Sequence, residues 1–357
     1  MYALLRPLLF ALPPGEAHTW GMGALMALEQ LDLLRDVIQA RLAPPPSLAT
    51  LRLGLRFPSP IGLAGGFDKD ARAPKALAAL GFGFLELGTV TAQPQEPNPP
   101  PNLFRLPADR ALVNRLGFPN EGAKAVARRF ARDVGRGGAR VPVGFSIGKS
   151  RAVPIDDLDA VVTDYLTSFR AVRPVSDFVV VNVSSPNTKG LRALQGVGLA
   201  GALLRAIVGE NERHPDKVPL LLKVSPDLSD AELALLLDVV ADVKLDGVIA
   251  TNTTTSRDGL ATRPETVKDI GPGGLSGPPL RRRVLEVVPR IRSRLGPDAT
   301  VIAVGGVTGS GDVARCIAAG ADLVQLYTSF IYEGPGLPSR LARELAEQRA
   351  RGASRLA

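Results

Sequence analysis

The sequence predicts an α/β fold, a (β/α)8 TIM barrel with a small N-terminal helical module. Three observations predict it. From Leu51 onward, eight short runs rich in Val, Ile, Leu and Phe alternate with longer helical patterns. Each run ends in a polar or Gly-rich loop, where a barrel gathers its functional groups. Residues 1–45 lack that rhythm. An open doubly wound sheet would rarely need eight such units.

Taken in order, the N-terminal module (residues 1–45) opens with the short apolar segment MYALLRPLLFAL. After PPG a longer helical pattern runs from Glu16 to Leu42. Leu25, Leu28, Leu31, Leu34, Ile38 and Leu42 recur at helical spacing, with Glu29, Asp32, Arg35, Asp36 and Gln39 off that stripe. The proline run Ala43–Pro46 ends it, because proline cannot continue a helix. The barrel is expected to occupy residues 46–357. Its strands are read at 61–64, 84–87, 141–146, 178–183, 220–224, 247–250, 301–304 and 323–326. Helices are read at 71–80, 120–132, 155–170, 199–211, 230–242, 279–295, 310–319 and 337–351.

Composition narrows the function. Aromatic residues are only 5%, too few for stacking platforms along a single-stranded nucleic acid. The net charge of +8 favours anionic partners, although much of the excess is Arg scattered on helix faces. A lone cysteine, Cys316, excludes a disulfide framework and an iron–sulfur cluster. His18 and His214 are too few and too separated for a metal centre. No apolar run approaches the roughly 20 residues that span a bilayer, and RPLLFALPPG lacks a cleavage site.

The strand exits carry the chemistry. They read GGFDK, GTVT, IGKS, NVSSPNT, Lys223, TNTTT, GGV and YTS, in strand order. The Gly pair after strand seven and YTS after strand eight suit a phosphate held by backbone N–H groups. The other exits offer Asn114, Asn182, Asn187 and Asn252 with Lys69 and Lys223. No convergent acid pair is present for glycoside hydrolysis, and no His sits at a strand end for a Ser–His–Asp triad. Asn amides read ring N–H and C=O groups together, and Lys answers negative charge. The set suits a flat polar heterocycle with an acidic group, with a bound cofactor supplying the redox chemistry.

LAGGFDKD, NRLGF, NVSSPNTKGLRALQG, TNTT, GGLSGPPL and LVQLYTSFIYEGPG, in that order, resemble the dihydroorotate dehydrogenase family across nearly the whole chain. The N-terminal module and the serine in the strand-four loop point to its membrane-associated, quinone-reducing class. The resemblance implies one FMN per chain, oxidation of (S)-dihydroorotate to orotate in pyrimidine synthesis, and electron transfer to a quinone. It implies that Ser185 is the general base taking the C5 proton while the C6 hydride goes to flavin N5. Ser184 points the other way on extended chain, and Thr188 would help relay the proton. Lys69 matches the residue that meets the substrate carboxylate. Asn114, Arg115, Leu116, Gly117, Phe118, Asn182, Asn187, Asn252 and Thr253 match the remaining substrate contacts. For FMN the matching positions are Gly65, Gly66, Phe67, Asp68, Lys69, Thr89, Ser146, Asn182, Lys223, Thr251, Gly277, Gly306, Tyr327 and Thr328. Lys223 would face the flavin pyrimidine edge. His18, Arg105 and Tyr327 match residues near the quinone path, framed by two N-terminal helices lying on the membrane.

Two positions depart from the family pattern. Ser146 stands where an FMN-contacting Asn is expected, and Pro119 follows NRLGF where the family has Asn. The first removes an amide; the second removes a backbone N–H and stiffens the loop. The class implies a peripheral position on the cytoplasmic face of the cell membrane, contact with anionic lipid, no nucleic-acid partner, and a monomer. Competing readings are a soluble-acceptor dihydroorotate or dihydropyrimidine dehydrogenase, a non-catalytic phosphate-ligand barrel, and an RNA-binding barrel.

Overall fold

The computed structural model describes residues 2–188 and 190–353. Eight parallel strands close into a barrel. They are β1 (Ile61–Leu63), β2 (Leu85–Val90), β3 (Val143–Ile147), β4 (Phe178–Asn182), β5 (Leu220–Val224), β6 (Gly247–Ala250), β7 (Thr300–Val304) and β8 (Leu323–Leu326). β8 pairs back onto β1, with Val324 opposite Ile61.

The strands are near-continuous apolar runs because both faces are covered. In β4, Phe178 and Val180 join the barrel's interior cluster, whereas Val179 and Val181 pack outward among the helices. That alternation carries Asn182 inward at the C-terminal end, paired directly with Lys223 of β5. An unforeseen hairpin, Thr50–Arg52 with Leu55–Phe57, inserts Phe57 beneath the barrel, its ring 5.4 Å edge-to-face from Phe84.

Two further features escaped the sequence reading. Leu103–Leu106, Ala111–Asn114 and Gly274–Ser276 form a three-stranded antiparallel sheet that aligns Asn114 with Gly274. The N-terminal module holds three helices rather than two: α1 (Tyr2–Ala11), α2 (Pro14–Glu29) and α3 (Asp32–Leu42). The chain breaks at Gln30–Leu31, so the apolar stripe does not stay on one face. Leu25, Ile38 and Leu42 pack on the core, but Leu31 and Leu34 are exposed. Glu29 and Arg35, off the stripe, are buried instead.

Candidate active site

A cleft of about 1020 Å³, including space open to solvent, lies at the C-terminal ends of the strands. Its floor is polar. Lys223 Nζ donates to both oxygens of Glu86, at 2.9 and 3.1 Å, and Gln325 Nε2 donates to Glu86 Oε2 at 2.8 Å. The alternation that carries Phe84 into the barrel at the bottom of β2 carries Glu86 inward one layer higher.

Four asparagines surround the cleft in two linked pairs. Asn187 Nδ2 donates to Asn114 Oδ1 at 2.8 Å. Asn252 Nδ2 donates to Asn182 Oδ1 at 3.2 Å and to Ser184 Oγ at 3.0 Å, while Asn182 Nδ2 donates to Thr89 Oγ1 at 3.0 Å. The two serines of NVSSPNT have separate fates. Ser184 Oγ donates to Asn182 Oδ1 at 3.2 Å and does not line the cleft. Ser185 lines it, and its Oγ accepts the N–H of Asn187 at 3.2 Å, its only partner among the described residues. This is a serine turn, and it leaves the hydroxyl proton without an acceptor among the described residues. Thr188 Oγ1 is buried with no partner among the described residues.

At one wall Lys69 Nζ donates to the Gly66 carbonyl at 2.7 Å. Burial pulls its pKa down to about 8, against the opposing pull of Asp70 and Asp68. Tyr327 OH donates to the same carbonyl at 3.2 Å, and burial pushes its pKa up to about 12. Gly65 is needed there, because a Cβ would lie 2.4 Å from Glu86 Oε1. At the far end Gly277, Gly305, Gly306 and Thr328 converge. Gly306 has φ +75°, and a Cβ on it would meet the Arg281 backbone at 2.4 Å.

The family model for dihydroorotate dehydrogenase matches residues 47–348. The chain belongs to that family. The Mycobacterium sp. (strain KMS) dihydroorotate dehydrogenase (quinone) is 46% identical over 352 residues, 96% of this chain and 95% of that protein. The Nocardioides sp. (strain ATCC BAA-499 / JS614) enzyme of the same name is 48% identical over 343 residues, 93% of each chain. The ligand-free DHODH of Eimeria tenella superposes with a TM-score of 0.81 at 33% identity, covering 90% of this chain and 96% of that one. These relatives place the chain with the quinone-dependent members. No helix of the described residues is long and apolar enough to cross a membrane.

The cleft gathers Gly65, Gly66, Lys69, Thr89, Asn114, Leu116, Gly117, Phe118, Asn182, Ser185, Asn187, Lys223, Thr251, Asn252, Thr253, Gly277, Gly306, Tyr327 and Thr328 of the residues expected from the sequence. Others are placed elsewhere. Ser146 lies behind the wall, its Oγ 2.9 Å from Thr89 Oγ1. Asp68 accepts the N–H groups of Arg72 and Ala73, both at 2.9 Å. Arg115 turns away onto the carbonyls of Ile270 and Pro272 at 2.5 and 3.0 Å and stacks over Phe104. Pro119 is followed by Asn120, whose amide ties Thr91, Phe118 and Gly122 together and fastens the loop.

The quinone-path residues divide. His18 lies edge-to-face on Phe67 at 5.3 Å, and Phe67 on Tyr327 at 6.0 Å, a chain of rings from α2 to the cleft. Arg105 is engaged at the end of α1, donating to Leu9, Phe10 and Leu12 carbonyls and stacking on Phe10. The sequence reading missed Gln325 and left Glu86 without a role. Their signal was a polar residue inside an apolar strand, in LVQL and LEL.

Proposed function

We propose that this chain oxidises (S)-dihydroorotate to orotate, with Ser185 as the general base for the C5 proton, and that a membrane quinone is the final acceptor. The observation that carries the catalytic assignment is the contrast at the end of β4. Ser184 is committed to the amide network, while Ser185 lines the cleft and donates to no acceptor among the described residues, beside Asn187 and Asn182.

The residues present fit FMN. Gly277, Gly305 and Gly306 line the cleft at positive φ without side chains, so a phosphate can approach the bare backbone there closely. Gln325 Oε1, on the cleft floor, is buried without a partner among the described residues, as expected of a surface completed by a ligand. Gly65, Gly66, Thr89, Asn182, Lys223, Thr251, Gly277, Gly306, Tyr327 and Thr328 would hold it, with Ser146 supporting Thr89 from behind. FMN, when bound, supplies the two-electron carrier that the side chains lack.

The chain's own residues do the rest. Lys69 has donors to spare beyond its bond to Gly66 and meets the substrate carboxylate. Asn114, Asn187, Asn182 and Asn252 read the pyrimidine ring edges, and Thr253 with the 114–118 loop closes over it and excludes water. Exposed leucines on α1 and α3 rest the module on the cytoplasmic membrane face. From there the ring series His18–Phe67–Tyr327 borders the quinone's approach.

The test is anaerobic mixing of purified protein with dihydroorotate, followed by a soluble quinone analogue. The expected result is a flavin spectrum that bleaches and then recovers. A flavin that dihydroorotate cannot bleach would overturn the substrate. Bleaching without recovery would overturn the quinone.

A further inference from the structure

Lys223 is not a free cation at the cleft floor. Its partner Glu86 is fully buried, and Lys223 is nearly so. Both Glu86 oxygens accept from the one ammonium, and Oε2 also accepts from Gln325. Removing one member of a buried pair leaves an uncompensated charge, whereas replacing both is far better tolerated.

The carboxylate also dictates orientation. An ionised carboxylate only accepts hydrogen bonds, so Gln325 must present Nε2 to it. The Gln325 carbonyl oxygen therefore points elsewhere, where it has no partner among the described residues. Lys223 has three donors, and among the described residues its ammonium hydrogen-bonds only to Glu86. Glu86 reaches this position only because residue 65 is glycine. Strands β2, β5 and β8 thus meet in one buried cluster beneath the cleft.

We propose that Glu86 is a positioning residue that sets the electrostatics of the cofactor site. It makes Lys223 one half of a net-neutral pair. It also fixes a donor, Lys223, and an acceptor, Gln325 Oε1, on the floor. A planar heterocycle edge bearing both C=O and N–H groups would meet matched partners there, without an unbalanced positive charge. This rests on the FMN reading above and adds a role for a residue that need not touch the cofactor.

The sign is testable. Glu86→Gln removes the negative charge and leaves Lys223 uncompensated in a dry site. The midpoint potential of bound FMN, measured against a reference dye, should shift positive. A tenfold change in the oxidised-to-reduced ratio is expected, about 30 mV for a two-electron couple. Lys223→Met should shift it negative. The double variant Glu86→Gln/Lys223→Met, neutral like the wild type, should return toward the wild-type potential. FMN affinity, followed by fluorescence quenching, should fall in Glu86→Gln because its amide can rotate and release Gln325.

A purely structural Glu86 would lower Tm while leaving potential and affinity unmoved, which would overturn the proposal. If Glu86→Gln does not fold, the double variant decides: a potential matching that of Lys223→Met would equally overturn it. A wild-type protein that takes up no flavin would instead bring down the underlying reading, and the proposal with it.

Discussion

A serine hydroxyl is a weak base, so the base role proposed for Ser185 depends on where its side chain is held. The Asn187 N–H donates to its oxygen, and its side chain lines the cleft. Ser185→Ala should slow flavin bleaching by dihydroorotate about 10²–10⁴-fold, the usual contribution of a positioned base, with FMN affinity unchanged. Bleaching at the wild-type rate would remove Ser185 from the mechanism. Lys69 makes a pH prediction. With its pKa at about 8, the ammonium proposed to meet the substrate carboxylate is complete below pH 7 and disappears as pH rises through 8. The KM for dihydroorotate should therefore rise above pH 8, approaching tenfold per pH unit, and a Lys69→Met variant should be high and flat over that range. At this scale the sequence revealed residue types at strand exits, but not where side chains point. Arg115 and Asp68 sit in motif segments, yet backbone groups capture their side chains: the distant carbonyls of Ile270 and Pro272 hold Arg115, and N–H groups of its own loop hold Asp68. No motif records that competition.

Between elements, the N-terminal helices are tied to the barrel by polar groups that helical periodicity cannot foresee. Glu29, at the end of α2, accepts the N–H groups of Lys75 and Ala76 at 3.2 and 2.6 Å. It caps the helix Pro74–Ala79 from another element. Arg35 of α3 donates to the Glu29 carbonyl at 2.7 Å and so braces the same corner. Glu29→Ala should cost about 1–3 kcal/mol in denaturant unfolding, since it strands the buried N–H of Ala76 and the partly buried N–H of Lys75. A cost within error of zero would show that the cap is dispensable. His18 adds a pH dependence. Burial, aided by the Lys69 charge, pulls its pKa down to about 4. The folded state holds the imidazole neutral while the unfolded chain protonates it near 6.5, so this contribution is present above 6.5 and is lost as pH falls toward 4. The Tm of His18→Phe should fall less than wild type over that interval; parallel curves would refute the burial argument. The eight strands were legible because doubly covered strands are unbroken apolar runs. The three-stranded sheet was not, since Leu103–Leu106 carries Arg105 and Gly274–Ser276 reads as a glycine loop.

Across the whole molecule, the apolar surface is distributed unevenly. Among the described residues, nine large apolar side chains are exposed by 50% or more; seven of them, Leu4, Leu5, Leu8, Trp20, Leu31, Leu33 and Val37, lie in the first three helices or the break between α2 and α3, and only Leu51 and Leu235 lie elsewhere. Exposed apolar residues concentrated in this way mark a surface meant for contact. A net charge of +8 makes an anionic surface the favoured neighbour. Each fully buried leucine contributes on the order of 1.5–3 kcal/mol, so three of them acting together suffice for reversible attachment to a bilayer. The triple variant Leu4→Ser, Leu8→Ser, Leu33→Ser should lose co-sedimentation with anionic vesicles. Its Tm should hold, because these side chains pack on little in the folded chain. Bleaching by dihydroorotate in solution should also hold, because the cleft lies on the barrel. Turnover with a long-chain quinone embedded in vesicles should fall, while turnover with a short soluble quinone should not. Vesicle binding equal to that of the parent would end the membrane assignment for this face and leave the three helices as a packed cap. Loss of both quinone activities together would mean instead that the helices shape the acceptor site itself, whatever surface they rest on.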